Sequence, residues 1–588
     1  MSNFEWSLKE YYESFECEEF KKDFENFEID LDALADWASK NFKNAENPLE
    51  KIETFISMKN TFSKYTKILL FAHLTLSADA KNTTASKVVE QFENILTKMV
   101  TPDLLFARFI SKIDDIEDLI SQSESLKAHK FYILSKKEST KYLLSEDEEV
   151  VMSKLKTTGS ASWERQKNYL VSMLMVDMEE DGVMKQFPLA HIRNLAYEAD
   201  ADLRKRAYEA ELKAYKKIDN ALSFSLNSIK GEVITTTKLK GYASPLERTL
   251  IDARMDKETL DAMFEAIKES IPSFRKFFRK KAEMLGHKNG LPFYDLFAPV
   301  GEVDMSFTYD EAKAYVVDNF TKFSANLGEF AQKSFDNNWV DVLPREGKTG
   351  GAFCSTCHAI GESRILTNYG DSFSDVLTLA HELGHGYHSS TLMKETYLNS
   401  SYSMPIAETA STMCETILIN SALKTATKEE KIVILENDIT GFAQVIIDIY
   451  SRFLFEDGLF KAREKSSLSV QELNDLMLWA QKEAYGDGLD QNFLHPYMWA
   501  CKTHYYFPER NYYNFPYAYG ALFSKGLYAL YLEQGQDFIP LYDKLLNATG
   551  KNNLRDVAKI ANIEIRDKAF WQSSLKMIEK EIDEFVSL

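Results

Sequence analysis

Proline and glycine are scarce in this 588-residue chain, at 13 and 23 copies. These residues punctuate helices, so their scarcity points to a mainly α protein. Cysteine is scarcer still: Cys17, Cys354, Cys357, Cys414 and Cys501 are too few and too scattered for a disulfide framework. The opening MSNFEWSLKEYYESFE lacks a basic region followed by an apolar run, so no export signal is read and the expected compartment is the cytoplasm. No uninterrupted apolar stretch reaches about 18 residues, which disfavours a membrane-spanning helix. Positive charge is in deficit as well. Against 90 Asp+Glu stand only 70 Lys+Arg, and the resulting −20 repels phosphate backbones, so nucleic acid is not an expected partner. Internal repeats, low-complexity tracts and Pro- or Ser-rich linkers are also missing.

What the chain does contain is apolar material for a large core, 45% of its residues, and a length that suggests two or more lobes. To about residue 230, charged and apolar residues alternate at helical spacing without visible chemistry. The expected division is an N-terminal helical lobe, 1–200, and a catalytic region, 201–588, with Glu179-Glu180-Asp181-Gly182 as a weak boundary cue. Chemistry is expected late in the chain, because six of its ten histidines lie between positions 358 and 504.

The stretch Arg364 to Tyr369 has strand-like composition, Gly370-Asp371 reads as a turn, and Ser372 to Asp375 reads as a capping box that opens a helix. On that helix His381 and His385, four apart, project from one face, so both imidazoles reach one ion. His381-Glu382-Leu383-Gly384-His385 matches the HExxH zinc-peptidase pattern, in which the Glu takes a proton from zinc-bound water. A catalytic zinc needs a third protein ligand and one open position. Glu408 is the best candidate, shortly after Pro405, a suitable first-turn residue of a second helix. Glu415, seven further on, shares its face and suits an acceptor that orients a ligating histidine, although a solvated helix charge remains open. Glu395 competes for the third position but sits in a solvent-facing Lys394-Glu395 pair. A metzincin needs Gly and then His at the third and sixth positions after the second ligand, where this chain has His388 and Thr391, so that class is excluded. His388 reads as a helix-ending or ligand-supporting histidine.

Attack on a peptide carbonyl builds an oxyanion, which neutral donors such as Tyr or His stabilise. His504, Tyr505, Tyr506, Tyr512, Tyr513, Tyr517 and Tyr519 cluster between Trp499 and Tyr528. Asn514-Phe515-Pro516 interrupts helical continuation there, which reads as a loop bearing phenols beside a cleft. Cys354-Ser355-Thr356-Cys357-His358 matches the covalent haem pattern, but that reading fails for lack of an export signal. His73, His129, His191 and His287 are assigned nothing.

At HELGH, at Glu408 to Glu415, and at His504 followed by Tyr513-Asn514-Phe515-Pro516-Tyr517, the chain resembles the oligoendopeptidase F branch of the thimet oligopeptidase family. Gly347 to Cys354, Asp375 to Ala380 and Trp6-Ser7-Leu8 carry the same likeness, which spans nearly the whole chain. The resemblance implies a mainly α, two-lobed helical shell around a deep substrate channel, with a small β-sheet beside the zinc-binding helix. It assigns one zinc ion per chain to His381, His385 and Glu408, the base to Glu382, and transition-state contacts to His504, Tyr513 and Tyr517. It further implies oligopeptide substrates laid along an edge strand at residues 364–369, and packing for Tyr519. Gly350-Gly351 serves either close backbone approach or a plain turn. The expected function is a zinc-dependent endopeptidase that hydrolyses internal bonds of short oligopeptides. The alternatives are a carboxypeptidase or dipeptidase of the same zinc architecture and a non-catalytic peptide-binding protein. The oligomeric state is left open.

Overall fold

The computed structural model describes residues 4–44, 46–301, 303 and 305–588. Helices make up 71% of the chain, in line with the shortage of helix breakers. Among the described residues no helix is long and apolar enough to cross a membrane.

Packing divides the chain into two compact units, each built from three stretches. Unit 1 comprises Met1–Lys141, Asp304–Ser421 and Leu530–Asn562; unit 2 comprises Tyr142–Val303, Ala422–Ala529 and Ile563–Leu588. Position 200 therefore falls inside unit 2. So does a hairpin that the helical reading of the first 230 residues did not anticipate. Its strands are β1 (Met175–Glu180) and β2 (Val183–Pro188), antiparallel from Met175↔Pro188 to Glu180↔Val183. Asp181 at φ 54° and Gly182 at φ 76° supply the two left-handed residues that a two-residue hairpin turn needs. The Glu179 to Gly182 cue thus closes a hairpin and marks no boundary. Elsewhere in unit 2, helix Lys257–Met284 packs along helix Lys568–Ser587, with Phe277 and Phe585 ring centroids 5.3 Å apart. Tyr519 is wholly buried there against Phe523 and Trp571, which makes it a packing residue.

Unit 1 holds a three-stranded sheet in the order β3 (Val340–Asp341), β5 (Glu362–Leu366), β4 (Phe353–Cys357). β5 is parallel to β3 and antiparallel to β4. The strand expected at 364–369 is therefore central and ends at Leu366; the edge beside the helix is β4. The reason is burial. Ser363 to Leu366 are buried between two neighbours, while β4 is half-buried. Arg364 anchors the N-terminal segment to this sheet: its guanidinium donates to the Ser7 carbonyl and to Glu10, and it lies over the Tyr11 and Trp339 rings. Trp6-Ser7-Leu8 is thereby tied to the sheet, with Trp6 against Phe353 and the Ser7 N–H on Asn338. Cys354 and Cys357, three apart on β4, face opposite sides and cannot clamp one haem. Gly351, at φ 78° with open space where a Cβ would lie, is a turn glycine.

Candidate active site

In unit 1, helix α1 (Phe373–Leu392) begins at the expected capping box. The Asp375 N–H donates to Ser372 Oγ at 3.2 Å, and the Ser372 N–H donates to the Asp375 carboxylate at 3.1 Å. Helix α2 (Met404–Thr425) carries Pro405 in its first turn, where the missing N–H costs nothing. The two helices meet at Gly384. A Cβ there would lie 2.6 Å from both the Ala410 carbonyl oxygen and the Ser411 Cα. In the sequence Gly384 is one of the two unspecified positions of the HExxH pattern; its role in letting α2 come so close appears only in the packing, where the small residues Ala410 and Ser411 face it.

This approach brings the proposed ligands together. His381 Nε2 and His385 Nε2 are 3.1 Å apart, and Glu408 Oε2 lies 3.3 Å from the first and 3.5 Å from the second. At Zn–N and Zn–O bonds of about 2.0–2.2 Å, the edge of a tetrahedral face is about 3.3–3.6 Å. The three atoms thus form one face of such a tetrahedron, the only such group of three among the described residues. The ring tautomers suit it too. His381 Nδ1 lies 2.5 Å from Glu415 Oε1, and the second ring nitrogen of His385 faces the Ala407 carbonyl. Each imidazole can donate outward and keep an Nε2 lone pair for the metal. Removing the orienting charge with Glu415→Gln is expected to weaken zinc binding about 10–100-fold in a chelator competition; unchanged affinity would reduce Glu415 to a surface charge.

Electrostatics call for a cation at this place. Burial opposes a charged His381, yet Glu408 and Glu415 outweigh it and hold its pKa well above the ordinary imidazole value. His385 is pushed down to about 4 by burial and by His381. Burial raises a carboxyl pKa, but the two histidines and the Ser411 hydroxyl hold Glu408 down at about 2. Glu382 behaves oppositely. Only 6% exposed, it is raised by burial to about 7, with His381 pulling down and Glu408 and Glu415 pushing up. The Cys354 N–H holds its carboxylate, while Oε2 is buried without a hydrogen-bond partner among the described residues. An unanswered buried carboxylate oxygen beside three ligand atoms fits a group that works on a reacting molecule.

The competing residues are committed elsewhere. Glu395 pairs with Lys551 at 2.6 Å. His388 is fully buried, hydrogen-bonds Thr549 Oγ1 at 2.9 Å, stacks on Tyr402, and is held down at about 3 by burial. A cleft of about 950 Å³ lies against His381, Glu382, His385 and Glu408 and runs along β4 from Phe353 to Thr356.

His504, Tyr513 and Tyr517 belong to unit 2, where they form one aromatic cluster. Ring centroids are 5.3 Å apart for His504 and Tyr513, 6.5 Å for His504 and Tyr517, and 5.7 Å for the two tyrosines. Burial, with Arg452, Lys502 and Lys167, lowers His504 to about 4, so it is neutral near pH 7. Asn514-Phe515-Pro516 does not make a phenol-bearing loop: helix α3 (Phe515–Gln534) starts there, with Pro516 in its first turn, where proline is tolerated. Tyr517 projects from that first turn and Tyr513 from the loop before it.

Residues 194–577 match the model of peptidase family M3, and residues 112–174 match one described as oligopeptidase F. The chain belongs to peptidase family M3. Every proposed site residue of this M3 peptidase lies within the matched 194–577. It is similar to oligopeptidase PepF of Bacillus subtilis (strain 168), 24% identical over 592 residues that span 99% of this chain and 87% of the relative. A crystal structure from Chlamydophila abortus shares the fold at TM-score 0.84 and 22% identity, covering 100% of this chain and 98% of that one. Oligoendopeptidase-F from Enterococcus faecium does so at TM-score 0.69 and 17% identity, over 96% and 98% of the two chains.

Proposed function

We propose that this M3 peptidase is a zinc-dependent endopeptidase of the cytoplasm that cuts internal bonds of short oligopeptides, with one zinc per chain held by His381, His385 and Glu408. The observation that carries the reading is the triangle of His381 Nε2, His385 Nε2 and Glu408 Oε2, sized for a tetrahedral zinc face with the unpaired Glu382 oxygen beside it. A zinc ion there would polarise the scissile carbonyl and acidify the attacking water. Glu382 takes the proton from that water and returns it to the leaving amine. An extended peptide would pair its backbone with the open edge of β4, which binds chain direction without selecting side chains. His504, Tyr513 and Tyr517 take the oxyanion-donor role that the family resemblance gives them, and a His504 held at about 4 enters that role as a neutral imidazole. Relatives named for oligopeptide and internal cleavage support the substrate class. Five free cysteines suit a reducing compartment.

The test is a mixed set of terminally blocked peptides of about 5–20 residues, followed by mass spectrometry with and without a chelator and then zinc. Internal cuts that vanish on chelation and return with zinc are expected. Cleavage that requires a free terminus would make the enzyme a carboxypeptidase or dipeptidase, and intact peptides on zinc-loaded protein would make it a binding protein. The pH profile is a second prediction. Only the carboxylate form of Glu382 accepts a proton, so kcat/KM should fall as pH drops through the Glu382 pKa. That acid limb is expected at or below about 7, since an adjacent metal cation lowers the value. A kcat/KM that rises on acidification below pH 7 would contradict a carboxylate base.

A further inference from the structure

Unit 2 contains a second cavity, of about 340 Å³, at the small end of the size range of ligand sites and unused by the peptidase chemistry. Arg193, Glu211, Gln444, Asp448, His495 and Lys502 bring polar groups to its wall, and Tyr294, Phe297 and Met498 give it an apolar side. Gln444 and Asp448 bound a π-helical turn, Gln444–Asp448, set between helices Lys428–Ala443 and Ile449–Arg463. Single π turns recur at functional sites because the extra residue re-aims side chains; here both ends of the turn line the cavity.

The carboxylate charges in this wall are already answered, although Asp448 Oδ2 makes no hydrogen bond among the described residues. Glu211 accepts from the Tyr215 hydroxyl at 2.9 Å, and it lies 3.4 Å from Arg193 Nε and 3.5 Å from His495 Nε2. Asp448 pairs with Arg452 and accepts from the Tyr485 hydroxyl at 3.3 Å. The donors are not. Lys502, half-buried, makes no side-chain hydrogen bond or direct ion pair among the described residues and senses Asp448 only at longer range. Gln444 Nε2 is buried without a hydrogen-bond partner among the described residues. Arg193 makes one ion pair among the described residues, through Nε to Glu211, and also feels the Cys501 thiol. His495, 2% exposed, has Nε2 toward Glu211 and, among the described residues, Nδ1 without a hydrogen-bond partner.

We propose that this cavity binds a small organic carboxylate, its anion held by Lys502, Gln444 and Arg193 and its apolar body lying on Tyr294, Phe297 and Met498. Cations and an amide donor left over after both wall carboxylates are paired select an anion over a cation. The aromatic side selects an organic anion over an inorganic one. When Nε2 carries the ring proton toward Glu211, Nδ1 is left as an acceptor, which fits an amide N–H beside the carboxylate. The C-terminal residue of a peptide supplies both groups; a free carboxylic acid supplies only the anion. The assignment does not depend on the zinc chemistry.

The probes are 3-(4-bromophenyl)propionate and N-acetyl-4-bromophenylalanine, each titrated calorimetrically into the zinc-loaded full-length chain beside its primary amide. Both acids are expected to bind at least about tenfold more tightly than their amides, and Lys502→Met or Arg193→Met to weaken each acid by about tenfold or more. The tighter acid identifies the source: the plain acid a free carboxylate, the acetylated residue a peptide terminus. Crystals soaked in either probe should show a bromine anomalous peak beside Phe297, a readout that stands even if Lys502→Met melts early. Equal binding of acid and amide overturns the proposal. So does undiminished binding in both variants, inorganic phosphate binding as tightly as the acids, or bromine found only at His381, His385 and Glu408.

Discussion

Glu382→Gln is expected to lower kcat by about 10²–10⁴-fold while the protein keeps its zinc. Glutamine matches the carboxylate in size and preserves an acceptor for the Cys354 N–H, but it cannot take a proton from water. The carboxylate oxygens of Glu382 are not among the three atoms that could hold the ion, so metal content measured by mass spectrometry should not change. Stability should move the other way. Glu382 is buried with one oxygen unpartnered, and trading a buried charge for a neutral amide removes a desolvation cost. The melting temperature is therefore expected to hold or rise as activity collapses, the pattern of a residue kept for function at the expense of stability. Glu382→Asp should fall between the two enzymes, since it keeps the base and draws it back by one methylene. Near-normal turnover by zinc-loaded Glu382→Gln would remove the proposed base.

The parts of this protein that were legible in its sequence are those encoded within one turn or one helix. The capping box at Ser372, the four-residue spacing of His381 and His385, the first-turn Pro405 and the seven-residue spacing of Glu408 and Glu415 are all local, and the helical class follows from composition alone. What was not legible depends on pairing between distant segments. Composition marks Arg364 to Tyr369 as a strand but does not say which strands flank it, so β5 was expected at the sheet edge where β4 lies. Asp181-Gly182 reads equally as a linker or a hairpin turn until Met175 is seen to pair with Pro188. Pro516 can end a helix or begin one, and only the chain that follows it decides. The two units escape a single cut near residue 200 because each gathers three separated stretches. The role of Gly384 is hidden in the sequence for the same reason: its neighbours Ala410 and Ser411 are more than 25 residues away.

That glycine sets the second large effect. Gly384→Ala is expected to lower kcat/KM by about 10²-fold or more and to weaken zinc binding, although position 384 supplies no ligand. The new Cβ would stand 2.6 Å from the Ala410 carbonyl oxygen and from the Ser411 Cα, both backbone atoms that no rotamer change can clear. Ordinary contact begins at 3.4 Å, so α1 and α2 must part by most of an ångström at the point where their ligands meet. His381 and His385 would move with α1 while Glu408 and Glu415 move with α2. The edges from Glu408 Oε2 to the two imidazoles, now 3.3 and 3.5 Å, would lengthen past what one zinc ion spans. A misplacement of about 1 Å in a catalytic constellation costs about 10²-fold, and overpacking a core by one methyl costs about 1–3 kcal/mol. Alanine is itself the better helix former, by about 1 kcal/mol over glycine, so propensity alone predicts a more stable protein. The sign of the change in melting temperature therefore separates the two effects: a fall, with zinc affinity and kcat/KM lost together, shows that the close approach of the helices sets the site. A more stable and fully active Gly384→Ala enzyme would show that α2 is free to shift, and that the ligand triangle does not depend on this contact.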